Sequence, residues 1–341
     1  MIRISELKLP LTALPVETRR AADAPTETDQ DRLPTPHPVA ALRALAAQAL
    51  GIAEGQIAEL QVFKRSFDAR KAELLAVFIC DLTLTDPAQE AELLAKFDQN
   101  PHINRTPDMS WHAPAHAPAG WPADQAERPV VVGFGPCGIF AALALAQLGL
   151  QPIVLERGRP VRQRTKDTWG LWRKKVLTPE SNVQYGEGGA GLFSDGKLYS
   201  QIKDPRFLGR KVMQEFVDAG APPEILYMAH PHIGTFKLVK VVEAMREKII
   251  ELGGEIRFEQ RVTELLLEPA TAGDAPEGFQ PQRVRGLKVQ DLASGEVQEL
   301  AARRVVLALG HSSRDTFAML HDAGVFLEPK PFSIGVRIEH P

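Results

Sequence analysis

Cysteine is nearly absent. Only Cys80 and Cys137 occur in 341 residues, far apart and outside any CxxC or Cys/His spacing. That excludes a disulfide framework and a structural zinc site, and it fits a reducing cytoplasm. Long apolar runs are lacking too: the longest, Gly138 to Leu150, falls short of a membrane span of about 20 residues. The opening MIRISELKLPL is broken by Arg3, Glu6 and Lys8, so it has no apolar core of a signal peptide, and neither export nor a membrane anchor is expected. Charge of one sign is missing as well, with 40 Lys plus Arg against 43 Asp plus Glu for a net −3. The basic surplus of a sequence-independent nucleic-acid binder is therefore not there, and nucleic acid is set aside as a primary partner. What is present is ordinary globular material, 44% hydrophobic and 24% charged, in a length that suggests two domains.

Residues 1–100 read as a small α/β unit. An extended start carries Ile2, Ile4 and Leu7, and a helical ALRALAAQAL follows. Two strand-like runs, Ile57–Phe67 and Leu74–Leu84, are joined by FDARK, and a helix is expected over Ala88–Phe97. This β-α-β-β-α order is ferredoxin-like. Thr18 to Pro38 interrupts it as a polar, proline-containing loop. Residues 101–128 change to Pro, Ala, His and Trp without periodicity and read as a loosely packed linker. His102, His112 and His116 lie in it without nearby Cys or paired carboxylates, so a solvated linker is preferred over a metal site.

The most informative stretch is VVVGFGPCGIFAALALAQLGLQPIVLERG. Val130–Val132 form a buried strand, Gly133, Gly135 and Gly138 occupy the GxGxxG positions, and Ile139–Leu148 continue as an apolar helix. Gly133 permits the tight turn, Gly135 removes a Cβ from the path of a pyrophosphate, and Gly138 lets the helix press on the strand. Pro136 and Cys137 complete the turn, and a small residue beside a phosphate is the expected role of Cys137. The second strand ends at Glu156, 23 positions after Gly133 and near the offset of a ribose-binding carboxylate. Its charge opposes a 2′-phosphate and so favours FAD or NAD over NADP. The fingerprint alone does not choose between the first two.

Further on, SNVQYGEGGAGLFSDGKLYS carries Gly186, Gly188, Gly189, Gly191 and Gly196. Such a loop exposes backbone to a second portion of a long cofactor, whereas a plain NAD domain runs on through β-α repeats; a lid or a bulged corner is the alternative. Leu238–Leu252 reads as an amphipathic helix. Ile256–Phe258 and Thr263–Leu267 read as a strand pair, with Val262 placed for a backbone contact to adenine. Val305–Leu309 returns to the parallel sheet and closes on Gly310.

The fingerprint with LERG, the GEGGAGLFSDGKL loop, PHIGTFKL, VVLALGHSSRDTF and KPFSIGVRIEHP resemble the family of uncharacterised bacterial FAD-dependent dehydrogenases. FKRSFDARK resembles that family's hairpin. The core is similar to glutathione-reductase-like flavoproteins. The resemblance implies an α/β fold: a Rossmann-like FAD-binding parallel sheet over 129–341 with an inserted, incomplete substrate domain near 165–240, preceded by the ferredoxin-like domain. It implies FAD, held at its ADP half by Gly133, Gly135, Pro136, Cys137, Gly138, Glu156 and Arg157. It places Gly188, Gly189, Gly191 and Ser194 by the ribityl and isoalloxazine groups and Gly310 at the strand end. Members of the family are longer, and a strand expected over Phe332–Ile338 stops at Pro341, so a fragmentary chain is expected.

For a flavin, the chain must place N5 against a hydride partner and set a cation or helix N-terminus near N1. Lys197, His311 and Arg314 adjoin the cofactor motifs and are the candidates. His232 is a candidate proton donor, with a satisfied buried histidine as the preferred alternative, and Arg337 is a candidate for a substrate carboxylate. The expected activity is FAD-dependent hydride transfer to or from a small molecule, with NADH or NADPH as electron donor. A flavin-dependent tRNA modifier and a non-catalytic FAD- or NAD-binding protein that recruits a partner remain the other readings.

Overall fold

The computed structural model describes residues 1–15, 37–70, 72–194, 196–199, 202–270, 282–331, 335–336 and 338. Most of the loop expected over Thr18–Pro38, much of the expected terminal strand and Arg337 lie outside them. The chain folds as two compact units, 1–114 with 191–245, and 115–190 with 246–341.

In the first unit, β1 (Ile2–Pro10) buries Ile2 and Ile4 but then Leu7 and Leu9, a switch from even to odd positions. A bulge explains it. Ile4 pairs with Cys80 and Leu7 with Phe78, so one extra residue is absorbed, and Glu6 adopts φ +62° there. The helix α1 (Val39–Leu50) buries Leu42, Ala46, Ala47 and Leu50 on this sheet. The strands β2 (Ile57–Asp68) and β3 (Leu75–Leu84) form the hairpin. Asp86 accepts from the Ala88 N–H to start α2 (Pro87–Lys96), and β4 (Ile103–Arg105) pairs with β1. The antiparallel order β2-β3-β1-β4 is that of a ferredoxin-like βαββαβ fold. Its last strand lies within the stretch expected as linker.

That linker is corrected further, because its two halves belong to different units. Before residue 115, Arg3 Nη2 donates to Met109 Sδ (3.5 Å) and Lys211 Nζ sits 4.6 Å from the Trp111 ring centre. After it, the Ala117 N–H bonds the Leu148 carbonyl (2.8 Å) and the Trp121 indole donates to the Leu150 carbonyl (3.0 Å). Backbone and ring donors satisfied in this way do not belong to a loosely packed chain. The expected insertion over 165–240 is divided too. The helix α4 (Val161–Lys174) stays in the second unit, whereas residues from 191, including α5 (Leu208–Asp218), group with the ferredoxin-like sheet. There, Tyr227 and Ala229 bond both sides of Arg65 on the edge of β2.

The second unit holds a parallel sheet of four three-residue strands: β5 (Val130–Val132), β6 (Ile153–Leu155), β7 (Glu255–Arg257) and β11 (Val305–Leu307), in the order β11-β5-β6-β7. The helix α3 (Pro136–Gln147) crosses from β5 to β6, and α6 (Thr235–Glu251), which enters this unit at Arg246, precedes β7. An antiparallel sheet, β10-β9-β8, is built from β8 (Gln260–Pro269), β9 (Gln282–Asp291) and β10 (Val297–Ala301). Its Val262, Leu287 and Val289 share a core with Val130, Val132, Ile153 and Leu155. The expected pairing of Ile256–Phe258 with Thr263–Leu267 does not form. Glu259, at φ +56°, turns the chain out of the parallel sheet, and β8 pairs with β9 instead. Among the described residues no helix is long and apolar enough to cross a membrane.

Candidate functional site

In the second unit the chain proceeds from β5 outward through β6 and β7, then returns to the other side of β5 as β11. The carboxyl end of β5 is therefore the point where strand order reverses, which in open α/β sheets is where a ligand crevice forms. The glycines there are locked by contact. Gly133, at φ +100°, accepts no side chain: a Cβ would lie 2.5 Å from the Ala308 carbonyl oxygen. At Gly138 a Cβ would lie 1.9 Å from the Gly133 carbonyl oxygen, so α3 is seated directly on the turn. Gly135 precedes Pro136 at the first helical position. The first intrahelical bond is Ile139 N–H to Gly135 carbonyl (2.9 Å), so the N–H groups of Cys137 and Gly138 have no partner within the helix. Those amides and the helix dipole suit an anion.

Glu156, at the end of β6, is 4% exposed. Its Oε2 accepts from the Phe134 N–H (2.7 Å), and its Oε1 accepts from Gly158 (2.7 Å) and Gly186 (3.0 Å). One carboxylate thus ties the fingerprint turn to the LERG turn and to the second glycine stretch. A carboxylate has about four lone-pair sites, so capacity for a ribose hydroxyl remains.

The second glycine stretch sits on the first. Gly188 donates to the Phe134 carbonyl (2.9 Å), and a Cβ on Gly189 would lie 3.0 Å from the Gly135 α-carbon. The amides of Gly186, Glu187, Gly188 and Gly189 are all used inside the unit, on Glu156, the Arg159 carbonyl, the Phe134 carbonyl and the Gly186 carbonyl. The amides over Gly188 and Gly189 are thus not open, as a backbone laid out for a ligand would have them, and the stretch buttresses the glycine turn. Wholly buried Arg164 holds it through the carbonyls of residues 182, 183, 187 and 189, and desolvation pushes the guanidinium down to about 10.

Of the other expected residues, Arg157 is committed elsewhere. It pairs with Glu180 (2.6 Å) and Asp315 (2.9 Å) and lies 4.3 Å over the Tyr185 ring. Burial works against its charge, but the bonds to Glu180 and Asp315 outweigh that and raise its pKa. Cys137 is exposed in the turn. Gly310, at φ +68°, has open space where a Cβ would stand, and His311 and Arg314 are exposed beyond it, Arg314 opening α7 (Arg314–Asp322). Val262 pairs with Val289 in β8 with its side chain in the core. Gly191, Ser194, Lys197 and His232 fall in the first unit, where Lys197 and His232 are bridged as antiparallel neighbours. His232 is exposed, against the expectation of a buried histidine.

Sequence reasoning missed Arg164, Asn182, Glu187 and Arg246. Glu187 is buried, accepts from the Val161 N–H (2.7 Å) and pairs with Arg246 (2.7 Å). Asn182 accepts from Gln184 and donates to the carbonyls of Thr178 and Pro179. A signal did exist. Val161, Arg164 and Thr168 repeat at helical spacing as the buried stripe of α4, and Glu187 interrupts a run of glycines.

Residues 1–83 match a family model described as a domain of unknown function, DUF8436. An uncharacterized protein of Clostridium beijerinckii is 40% identical over 294 residues, covering 86% of this chain and 50% of that one. The chain therefore spans about half the length of that relative. Among solved structures, Thermovibrio ammonificans THI4 is 18% identical at a TM-score of 0.39, covering 59% of this chain and 64% of that one. A 3-ketosteroid-delta4-(5alpha)-dehydrogenase from Rhodococcus jostii is 18% identical at 0.33, covering 57% and 48%. A glycerol-3-phosphate dehydrogenase from Bacillus halodurans, complexed with FAD, is 13% identical at 0.31, covering 54% and 34%. These likenesses are distant, and the α/β fold of this chain rests on its own strand order.

Proposed function

We propose that the second unit binds FAD and that the chain is the flavin-binding part of an oxidoreductase acting on a small molecule. The observation that carries this reading is the glycine turn at the strand-order reversal, with the Cys137 and Gly138 amides unbonded within α3 and Glu156 closing the end of β6. The residues fit an ADP moiety. A Cβ at Gly135 would meet only the Gly189 backbone, at 3.6 Å or more, and Glu156 sets negative charge where a 2′-phosphate would have to sit. The motif resemblance favours FAD over NAD.

In this reading the Cys137 and Gly138 N–H groups hold the pyrophosphate, Glu156 accepts from the ribose, and Gly310 leaves room beside β11. FAD, when bound, supplies the hydride and electron chemistry. His311 and Arg314 are the second unit's candidates to balance charge on the flavin, and NADH or NADPH is the proposed donor. The test is the visible spectrum of the purified protein, followed anaerobically as NADH and then NADPH are added, with the released cofactor identified by mass. FAD that bleaches with one nicotinamide supports the reading. No flavin, or unchanged FAD affinity in Glu156→Ala, overturns it.

A further inference from the structure

The loop over residues 182–189 is shaped by buried charge rather than by groups left waiting for a ligand. Arg164 Nε donates to the Asn182 carbonyl (2.8 Å), Nη2 to Val183 (2.8 Å), and Nη1 to Glu187 (2.6 Å) and Gly189 (2.8 Å). Four carbonyls of one short loop converge on one cation. On the amide side, Gly186 N–H meets the Glu156 carboxylate at 3.0 Å, and the Glu187 carboxylate is fixed by the Val161 N–H and Arg246, both at 2.7 Å. Gly186 adopts φ +117° with Arg164 against it, since a Cβ would lie 2.4 Å from Cδ. A guanidinium is taken out of water only where its donors are met by well-placed acceptors, and removing it leaves carbonyls buried without partners. A loop that waits for its ligand keeps amides for that ligand; here the four from 186 to 189 are already bonded.

We propose that Arg164 is a positioning residue that fixes residues 182–189 against the fingerprint turn before any cofactor arrives, and so governs cofactor affinity through the fraction of chains competent to bind. The affinity part rests on the flavin reading above; the ordering of the loop does not. Binding to a fractionally populated competent state weakens apparent affinity by that fraction, and the loss falls on association. General destabilisation would reduce the number of active chains instead, leaving the association rate of the remainder unchanged.

The experiment compares flavin-free full-length wild type, Arg164→Met and Arg164→Lys. Amide hydrogen exchange of peptides covering 182–189 and 130–132 is read by mass spectrometry, and FAD association by stopped-flow flavin fluorescence. In wild type, exchange at 186–189 is slow without flavin. Arg164→Met brings exchange at 186–189 close to that of an unprotected chain while 130–132 stays slow, and FAD association slows by about 100-fold, the factor that a competent fraction of about 1% gives. Arg164→Lys, which keeps the charge but not the planar fork, falls between them. Should Arg164→Met fail to fold, Arg164→Lys and Arg246→Met, which releases Glu187, carry the comparison. Fast exchange of this loop in flavin-free wild type overturns the proposal, as does wild-type exchange and association in the variants. Loop exchange as expected with no FAD bound by wild type would overturn the flavin reading while upholding Arg164 as the residue that orders the loop.

Discussion

Gly138→Ala and Gly170→Ala are the same substitution in two helices, and the structure gives them opposite signs. At Gly170, within α4, the nearest atom to a new Cβ is the Val176 carbonyl oxygen at 3.9 Å, an ordinary contact. Only the helix preference of Ala over Gly then operates, and Gly170→Ala should stabilise the protein by about 0.5–1 kcal/mol. At Gly138 the new Cβ would stand 1.9 Å from the Gly133 oxygen and 2.9 Å from its carbonyl carbon. Gly133 cannot give way, because its own Cβ position faces the Ala308 oxygen at 2.5 Å. The strain must instead lift α3 from the turn. Overpacking of this kind costs roughly 1–3 kcal/mol and exceeds the gain in helix preference, so a net loss of about 1 kcal/mol is expected, about 5-fold in the unfolded fraction. Denaturant unfolding by circular dichroism, with hydrogen exchange at residues 130–132, measures both variants. A Gly138→Ala protein as stable as wild type would refute the argument that backbone contact fixes this glycine.

The two thiols should separate cleanly. Cys80 is buried, and desolvation pushes its thiol up to about 12, whereas Cys137 is exposed; a thiol reagent near pH 8 should therefore label Cys137 alone in the native protein and both in denaturant. His37, packed between Phe78 and Tyr227, has its pKa lowered by burial and then by Arg65. The unfolded chain then binds a proton that the folded one does not, so stability should fall as pH drops below about 6.5, and His37→Gln should flatten that slope in thermal melts. Asp315 is held low by its hydrogen bond to Arg157, so its contribution is present above about pH 4 and lost below it. Arg157→Met should remove this acid sensitivity, and melts from pH 3 to 6 would show it.

The segment from β5 to β6 was legible because each signal was local: a triple valine, glycines that fix a turn, an apolar helix, and an acid at the strand end. The ferredoxin-like order was legible for the same reason, although its fourth strand was lost in a proline-rich stretch where three residues of β4 carry no periodicity. The partition of 191–245 to the first unit was not readable, since pairings such as Arg65 with Met228 join residues distant in sequence. Arg164 and Glu187 were passed over because a charged residue reads by default as solvated; the spacing of Arg164 with Val161 and Thr168, and the break that Glu187 makes in a glycine run, were weak signals that the tertiary fold alone confirms.

Glu156 joins three turns with one side chain. Its reach spans amides from three separate turns, so a carboxylate one methylene shorter leaves at least one of them unmet even with no ligand in play. Tolerance to replacement at this position is therefore set by chain assembly, whatever the ligand. A randomised library selected only for soluble expression should already return glutamate here, whereas a plain ribose contact would leave no trace in such a selection.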